Sequence, residues 1–255
     1  MTTLFISDLH LEQSRPEITQ AFIRFMEQLA PKSDALYILG DFFEVWIGDD
    51  DDSPFSHEIM EILRQFTNAG GTLYFMVGNR DFLIGDRFAQ STGAILLDDP
   101  TLIDLYGTPT LLMHGDSLCT LDTEYMAFRE QARSSQWQQQ LLSQPLEARR
   151  EIARQLREKS QSMNSLKAED IMDVTPSEAI HAMQQHKAER LIHGHTHRPA
   201  RHQLTPTTAA QPERLVLGDW HDKIWWASAN ANKSIELCSC DIATEDLSRF
   251  SVEPH

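Results

Sequence analysis

Six short apolar runs, each closed by a glycine or a polar residue, limit what this chain can fold into: LFISDLH (4–10), ALYILGD (35–41), TLYFMVGNRD (72–81), TLLMHGD (110–116), RLIHGHTH (190–197) and RLVLGDW (214–220). Their apolar parts are short and rich in branched and aromatic residues, the pattern of strands buried on both faces. Helical periodicity fills the first two gaps. Ile18, Phe22, Phe25, Met26 and Leu29 share one face after Pro16, and Ile59, Ile62, Leu63 and Phe66 do so before Gly70 and Gly71. This alternation predicts a βαβ series in an α/β protein, and 255 residues are enough for one such domain with a full core. A further helix is expected at 175–186, where Thr175, Pro176 and Glu178 form a capping box with proline in the first turn, leading into the run at 190.

Residues 120–170 break the pattern. They carry long polar helical stretches and no strand signal, and read as a helical insertion within a single domain spanning 1–255. Net charge separates this segment from the rest. Between Arg129 and Lys167 eight basic residues face four acidic ones, so it is +4 and leaves −20 to the remainder of a chain whose total is −16. That balance disfavours nucleic acid as a partner, because phosphate backbones call for a basic surface. The GDDDDSP run at 48–54 reads as a solvated acidic loop. No window approaches the roughly 18 apolar residues of a membrane span, and the first residues lack a basic, then apolar, leader, so a cytoplasmic protein is expected. Cys119, Cys238 and Cys240 are an odd count and read as reduced thiols, the last two on one face of a strand. No apolar stripe demands a second subunit, and a monomer is expected.

The polar residues that close the runs carry the chemistry. Asp8 and His10 stand two apart, Asp41 follows Gly40, Asn79 follows Gly78, His114 precedes Gly115, and His195 and His197 again stand two apart. Residues two apart on an extended segment point the same way. Alone, such a histidine pair is also compatible with an ordinary half-buried strand. Polar groups at the ends of successive core strands of an α/β sheet, however, gather in one crevice. Seven oxygen and nitrogen donors are too many for one transition metal and suit two ions about 3.5–4 Å apart sharing a carboxylate. The absence of thiolate favours Mn²⁺, Fe²⁺ or Zn²⁺ in a reactive site over structural zinc.

The order DLH, GDFFE, GNRD, MHGD and GHTH resembles the calcineurin-like metallophosphoesterases from residue 8 to 197. The resemblance implies a four-layer αββα sandwich. It also implies Asp8, His10, Asp41 and His197 around one ion and Asp41, Asn79, His114 and His195 around the other, with Asp41 bridging. His193, outside the motif, reads as a packed residue or one that supports the ligands. Where most members read GNH, this chain has Arg80. Arginine stays protonated and cannot act as an acid, but it can neutralise charge developing on phosphoryl oxygens. A leaving group that needs no proton, such as a phosphate, fits; the plainer alternative is an Arg80 ion pair with Asp81 or Asp86.

GNRD together with a basic helical insertion resembles the UDP-2,3-diacylglucosamine pyrophosphohydrolases of lipid A biosynthesis, over essentially the whole chain. That resemblance implies two Mn²⁺ ions and water attack on the α-phosphorus of a lipid-linked sugar nucleotide, giving UMP and 2,3-diacylglucosamine 1-phosphate. It marks Asp41, Arg80 and His195 as candidate catalytic residues, and Asn79, Arg80, Asp122, Tyr125, Ser160, Asn164, Lys167 and His195 as candidate substrate contacts. The insertion becomes a lid. Trp46, Phe82, Phe128, Trp137, Leu141, Leu142 and Leu146 are candidate walls for acyl chains, and the basic insertion is expected to touch the anionic cytoplasmic face of the inner membrane. Two other readings compete: a phosphoesterase for soluble nucleotides, and a binding scaffold that has kept the fold without the chemistry.

Overall fold

The computed structural model describes residues 2–164, 171, 173–204 and 212–250, without the side chains of 159 and 161–164. Within them, the apolar runs form strands β1 (Thr2–Ile6), β2 (Ala35–Leu39) and β3 (Thr72–Met76), linked by helices α1 (Pro16–Gln28) and α2 (Pro54–Asn68). Helix α3 (Asp86–Thr92) leads into β4 (Ile95–Leu97), which extends this parallel group. Strand β5 (Thr101–Leu105) and β6 (Thr108–Leu112) follow, then helices α4 (Thr123–Ala132), α5 (Ser135–Leu142) and α6 (Leu146–Asn164). Helix α7 (Pro176–His186) precedes β7 (Arg190–His193), β8 (Ala200–Gln203), β9 (Glu213–Val216), β10 (Lys223–Asn230) and β11 (Ile235–Asp241).

These strands make two sheets, in the orders β11-β10-β1-β2-β3-β4 and β5-β6-β7-β9-β8. Side chains alternate across each strand, and both faces are apolar. Phe5, Leu39, Met76 and Ala227 of the first sheet meet Leu105, Leu112, Ile192 and Leu215 of the second in one buried cluster. The opposite face of the first sheet, including Ile6, Ile38 and Phe75, packs on Phe22, Phe25, Ile59, Leu63 and Phe88 of α1, α2 and α3. The outer face of the second sheet, Leu111 and Leu191, packs on Ala179 and Met183 of α7. The result is helix, sheet, sheet, helix: the αββα order that the family resemblance implies.

Two local readings need correction. The capping box at Thr175 does not form: its side chain makes no cap bond, and its hydroxyl accepts from Thr120 instead, tying α7 to the segment after β6. The 48–54 loop is not simply solvated. Asp49 accepts from the Trp46 indole and from the backbone N–H groups of Gly85 and Phe88 at the start of α3. Asp50, Asp51 and Asp52 pair with Arg149 and Arg150 of α6. Cys238 and Cys240 lie on β11 as free thiols and pack on the helix-side core.

Phe25 is fully buried, with its ring edge-on to Trp220 (5.5 Å) and Trp226 (6.5 Å), so it joins α1 to the β9–β10 connection and to β10. Phe25→Ala is expected to cost about 3–5 kcal/mol through lost transfer energy and the cavity left behind. Urea denaturation measures it, and a loss below about 1 kcal/mol would contradict this packing.

Candidate metal centre

Because β1, β2 and β3 run parallel, as do β6 and β7, their C-terminal ends open at one edge where the two sheets meet. Asp8 and His10 leave β1, Asp41 leaves β2, Asn79 and Arg80 leave β3, His114 leaves β6, and His195 and His197 leave β7. The segments are crowded. A Cβ on Gly78 would sit 2.2 Å from the backbone nitrogen and a carboxylate oxygen of Asp41, and one on Gly194 would sit 2.1 Å from Asp8 Oδ2. The glycines of GN and GH are therefore the space in which the two carboxylates lie.

Five of the seven candidate ligands have left-handed backbones: Asp8 (φ 55°), His10 (51°), Asp41 (50°), His195 (68°) and His197 (55°). Each costs on the order of 1–2 kcal/mol in a residue with a Cβ, and such outliers gather where surrounding structure holds a functional geometry. The backbone supports them: His195 N–H donates to both Asp8 oxygens (3.1 and 2.9 Å), and Arg80 N–H donates to Asp41 Oδ1 (2.8 Å).

The donor atoms converge in two groups, Asp8 with His10 and His197, and Asp41 with His114 and His195; within each, one atom per residue lies within 4.8 Å of the others. Asp41 faces both, with Oδ2 3.9 Å from His10 Nε2 and Oδ1 3.6 Å from His114 Nε2. Three rings turn Nε2 inward: His114 Nδ1 donates to the Leu39 carbonyl (2.9 Å), His10 Nδ1 lies 2.9 Å from Glu44 Oε2, and His197 Nδ1 is within ion-pair range of Asp219 Oδ2 (3.7 Å). A carbonyl can only accept, so His114 Nδ1 carries a proton, and a second proton or an ion is what Nε2 can take up. That Nε2 lies 2.9 Å from Asn79 Oδ1, and His10 Nε2 lies 3.3 Å from His197 Nε2. Two acceptors this close need a proton or a metal ion between them. The residues present fit divalent ions.

Charge compensation inside the crevice points the same way. Burial works to raise the Asp8 carboxyl, but the His197 contact and the neighbouring imidazoles hold it well below the usual range. Burial works against the charged forms of His114 and His197, but the adjacent carboxylates outweigh it and push both up to about 9. Burial and the neighbouring His114 bring His195 down to about 4. Asp81 is pushed up to about 6 by burial and the Asp41 charge, and it accepts from the N–H groups of Gly78 (2.6 Å) and Phe42 (2.8 Å). Among the described residues no ion pair joins Arg80 to Asp81 or Asp86, and Arg80 Nε is buried without a partner.

The other expected contacts divide. Asn79, Arg80, Tyr125 and Ser160 line one cavity of about 810 Å³ beside the metal groups. Asp122 caps α4 through Tyr125 N–H. The Tyr125 hydroxyl donates to Asp116 (2.7 Å), while its ring lies 5.7 Å from that of His195. Lys167 and the side chain of Asn164 lie outside the described residues. His193 is buried, with Nδ1 on the Gly194 carbonyl (2.8 Å), and burial brings it down to about 3. Sequence reasoning missed Asp116, Asp219 and Glu44. Each stood inside a quoted motif, MHGD, LGDW or GDFFE, but nothing in the spacing assigned it a partner.

A model of the calcineurin-like phosphoesterases matches residues 1–199. The chain belongs to this family. Similar members include proteins named UDP-2,3-diacylglucosamine hydrolase. That of Cellvibrio japonicus is 57% identical over 231 residues, covering 91% of this chain and 96% of its own. That of Marinobacter nauticus is 54% identical over 237 residues (93% and 97%), and that of Hahella chejuensis is 50% identical over 245 residues (95% and 100%). Family membership and the two donor groups imply divalent metal ions in this phosphoesterase.

The proton balance makes a prediction. Below pH 9 the metal-free phosphoesterase keeps a second proton on His114 and His197, and an ion binding at either Nε2 must displace it. Affinity for a divalent ion therefore rises with pH between about 7 and 9, with protons released. Calorimetric Mn²⁺ titrations in buffers of different ionisation enthalpy measure both; a pH-independent affinity without proton release would refute the assignment.

Proposed function

We propose that this phosphoesterase hydrolyses the pyrophosphate bond of UDP-2,3-diacylglucosamine, the compound named in its relatives, by water attack on the α-phosphorus, giving UMP and 2,3-diacylglucosamine 1-phosphate. One observation carries the choice of a lipid substrate. The cavity of about 810 Å³ begins at Asn79 and Arg80 and continues between Trp46, Phe82, Leu83, Phe128, Leu141, Ile152 and Leu156. A soluble nucleotide has no use for such walls, whereas burying acyl chains is favourable by about 0.8 kcal/mol per CH₂. Of the expected wall residues, Trp46, Phe82, Phe128 and Leu141 line the cavity, Trp137 backs Phe82 (5.9 Å between rings), and Leu142 is exposed.

In this proposal Asp8, His10, Asp41 and His197 hold one Mn²⁺, and Asp41, Asn79, His114 and His195 hold the other, in a single domain whose segment 120–170 acts as a lid. Bound divalent ions supply a nucleophilic water near neutral pH and a positive clamp on phosphoryl oxygens. The chain's own residues do the rest. Arg80, with Nε unpartnered at the polar end of the cavity, neutralises charge on the pyrophosphate oxygens. No protein acid is needed, because the departing group is itself a phosphate. His195 is neutral at pH 7 and keeps a nitrogen free as a donor. Asp122, Tyr125, Ser160, Asn164 and Lys167 are proposed to frame the glucosamine and its phosphate, Tyr125 through its ring.

We further propose that the chain acts as a monomer at the cytoplasmic face of an anionic membrane, peripherally. Among the described residues no helix is long and apolar enough to cross a membrane. Exposed Leu121, Leu142 and Val45 are apolar contacts available to such a surface.

Release of UMP from UDP-2,3-diacylglucosamine with Mn²⁺, set against UDP-N-acetylglucosamine, tests the function. Turnover of the acylated substrate alone is expected, falling at least about 10²-fold in Asp41→Asn and about 10²–10³-fold in Arg80→Ala. Equal turnover of the unacylated compound would reject the lipid assignment and favour a soluble nucleotide substrate.

A further inference from the structure

Glu44 closes the GDFFE motif but is neither in the ligand set nor among the substrate contacts above. It is 8% exposed, and a carboxylate withdrawn from water is costly unless paired. Its two oxygens face different elements. Oε2 lies 2.9 Å from His10 Nδ1, and Oε1 forms an ion pair with Arg157 of α6. A carboxylate only accepts, so this contact favours the tautomer with the proton at His10 Nδ1 and leaves the lone pair of Nε2, 3.3 Å from His197 Nε2 and 3.9 Å from Asp41 Oδ2, free to bind an ion.

We propose that Glu44 is a positioning residue: it sets the tautomer and orientation of His10 for the ion of the Asp8 group and links that setting, through Arg157, to the helix that walls the cavity. The inference rests on the metal reading above. The corresponding support of His114 is the backbone carbonyl of Leu39 at the end of β2, which holds the ring but ties it to no other helix. Glu44 differs because its second partner stands on another element 113 residues away in the chain. Carboxylates behind ligand histidines fix the ring and raise its basicity, and removing one typically weakens metal binding 10–100-fold.

The experiment titrates the metal-free, full-length protein with Mn²⁺ and follows the free ion by electron paramagnetic resonance, beside Glu44→Gln, Glu44→Asp, Arg157→Met and the Glu44→Gln/Arg157→Met double variant. In the wild type two ions are expected. One of them weakens about 10–100-fold in Glu44→Gln, recovers partly in Glu44→Asp, and weakens by a smaller factor in Arg157→Met, with no further loss in the double variant. Wild-type affinity in Glu44→Gln would overturn the positioning role while leaving the metal reading standing. Full additivity in the double variant, or unchanged affinity in Arg157→Met, would overturn the link to α6. A wild-type protein that binds no Mn²⁺ would overturn both readings. Should Glu44→Gln fail to fold, the Glu44→Asp and Arg157→Met affinities decide alone.

Discussion

The structure is organised around a concentration of buried negative charge where two sheets meet. Asp8, Asp41, Asp81 and Asp116 are all at most 2% exposed at neighbouring strand ends. Four carboxylates in so little water would drive the sheets apart without compensation. Each has a specific remedy. Asp81 takes backbone N–H groups, Asp116 takes Tyr125 and Arg129, and Asp8 and Asp41 take imidazoles and, in the metal reading, the ions. The left-handed turns at Asp8, Asp41 and His195 are what aim these groups at one another. Their strain is sustained by the close-packed strands behind them, which bury Phe5, Leu39 and Ile192 between the sheets.

Much of this was legible because the informative residues are local. Asp8 with His10, and His195 with His197, follow directly on apolar strands, so their place at the strand ends was legible; the shared direction expected of extended residues two apart was not, because all four have left-handed backbones and His195 and His197 face different donor groups. The two-sheet architecture was less visible. Strands β10 and β11 complete the first sheet by pairing antiparallel beside β1. Their sequences, KIWWASAN and IELCSCD, mix polar and apolar positions rather than forming an apolar run. Edge strands β4, β5 and β8 carry exposed residues for the same reason. The acidic loop was misread because its partners are remote: Asp50 meets Arg149, 99 positions along the chain. Composition reports charge; it does not report what the charge faces.

The same remoteness changes the meaning of the basic insertion. Its net +4 suggested a surface turned to anionic lipid, yet six of its arginines are engaged. Arg129 and Arg133 meet Asp116, Arg149 and Arg150 meet the 50–52 carboxylates, Arg154 meets Glu151 and Glu158, and Arg157 meets Glu44. Five of the six pair with carboxylates of the sandwich rather than of the insertion. Much of the excess positive charge is thus the docking code of these helices. An attraction to a membrane that depended on these side chains would compete with their hold on the core, so exposed apolar residues such as Leu121 and Leu142 are the more economical contact.

That docking also bears on how the cavity and the donor groups relate. One wall, α4, is braced through Arg133 to the Val77 and Gly78 carbonyls, immediately before Asn79, and through Tyr125 and Arg129 to Asp116, two residues after His114. The other wall, α6, is braced through Arg149 to the Ile47 carbonyl and Asp50, and through Arg157 to Glu44, on the segment that begins at Asp41. Both walls therefore hang from the loops that present the donors. A displacement of either helix large enough to admit a bulky amphiphile must bend those loops or break buried charge pairs, and the latter is strongly unfavourable when one partner stays buried. Arg149, itself 3% exposed, makes the α6 attachment near its N-terminal end the firmer one. Toward its C-terminal end α6 meets the sandwich, among the described side chains, through Arg157 and the buried carboxylate of Glu44, so a displacement of that end too would leave a buried charge without its partner.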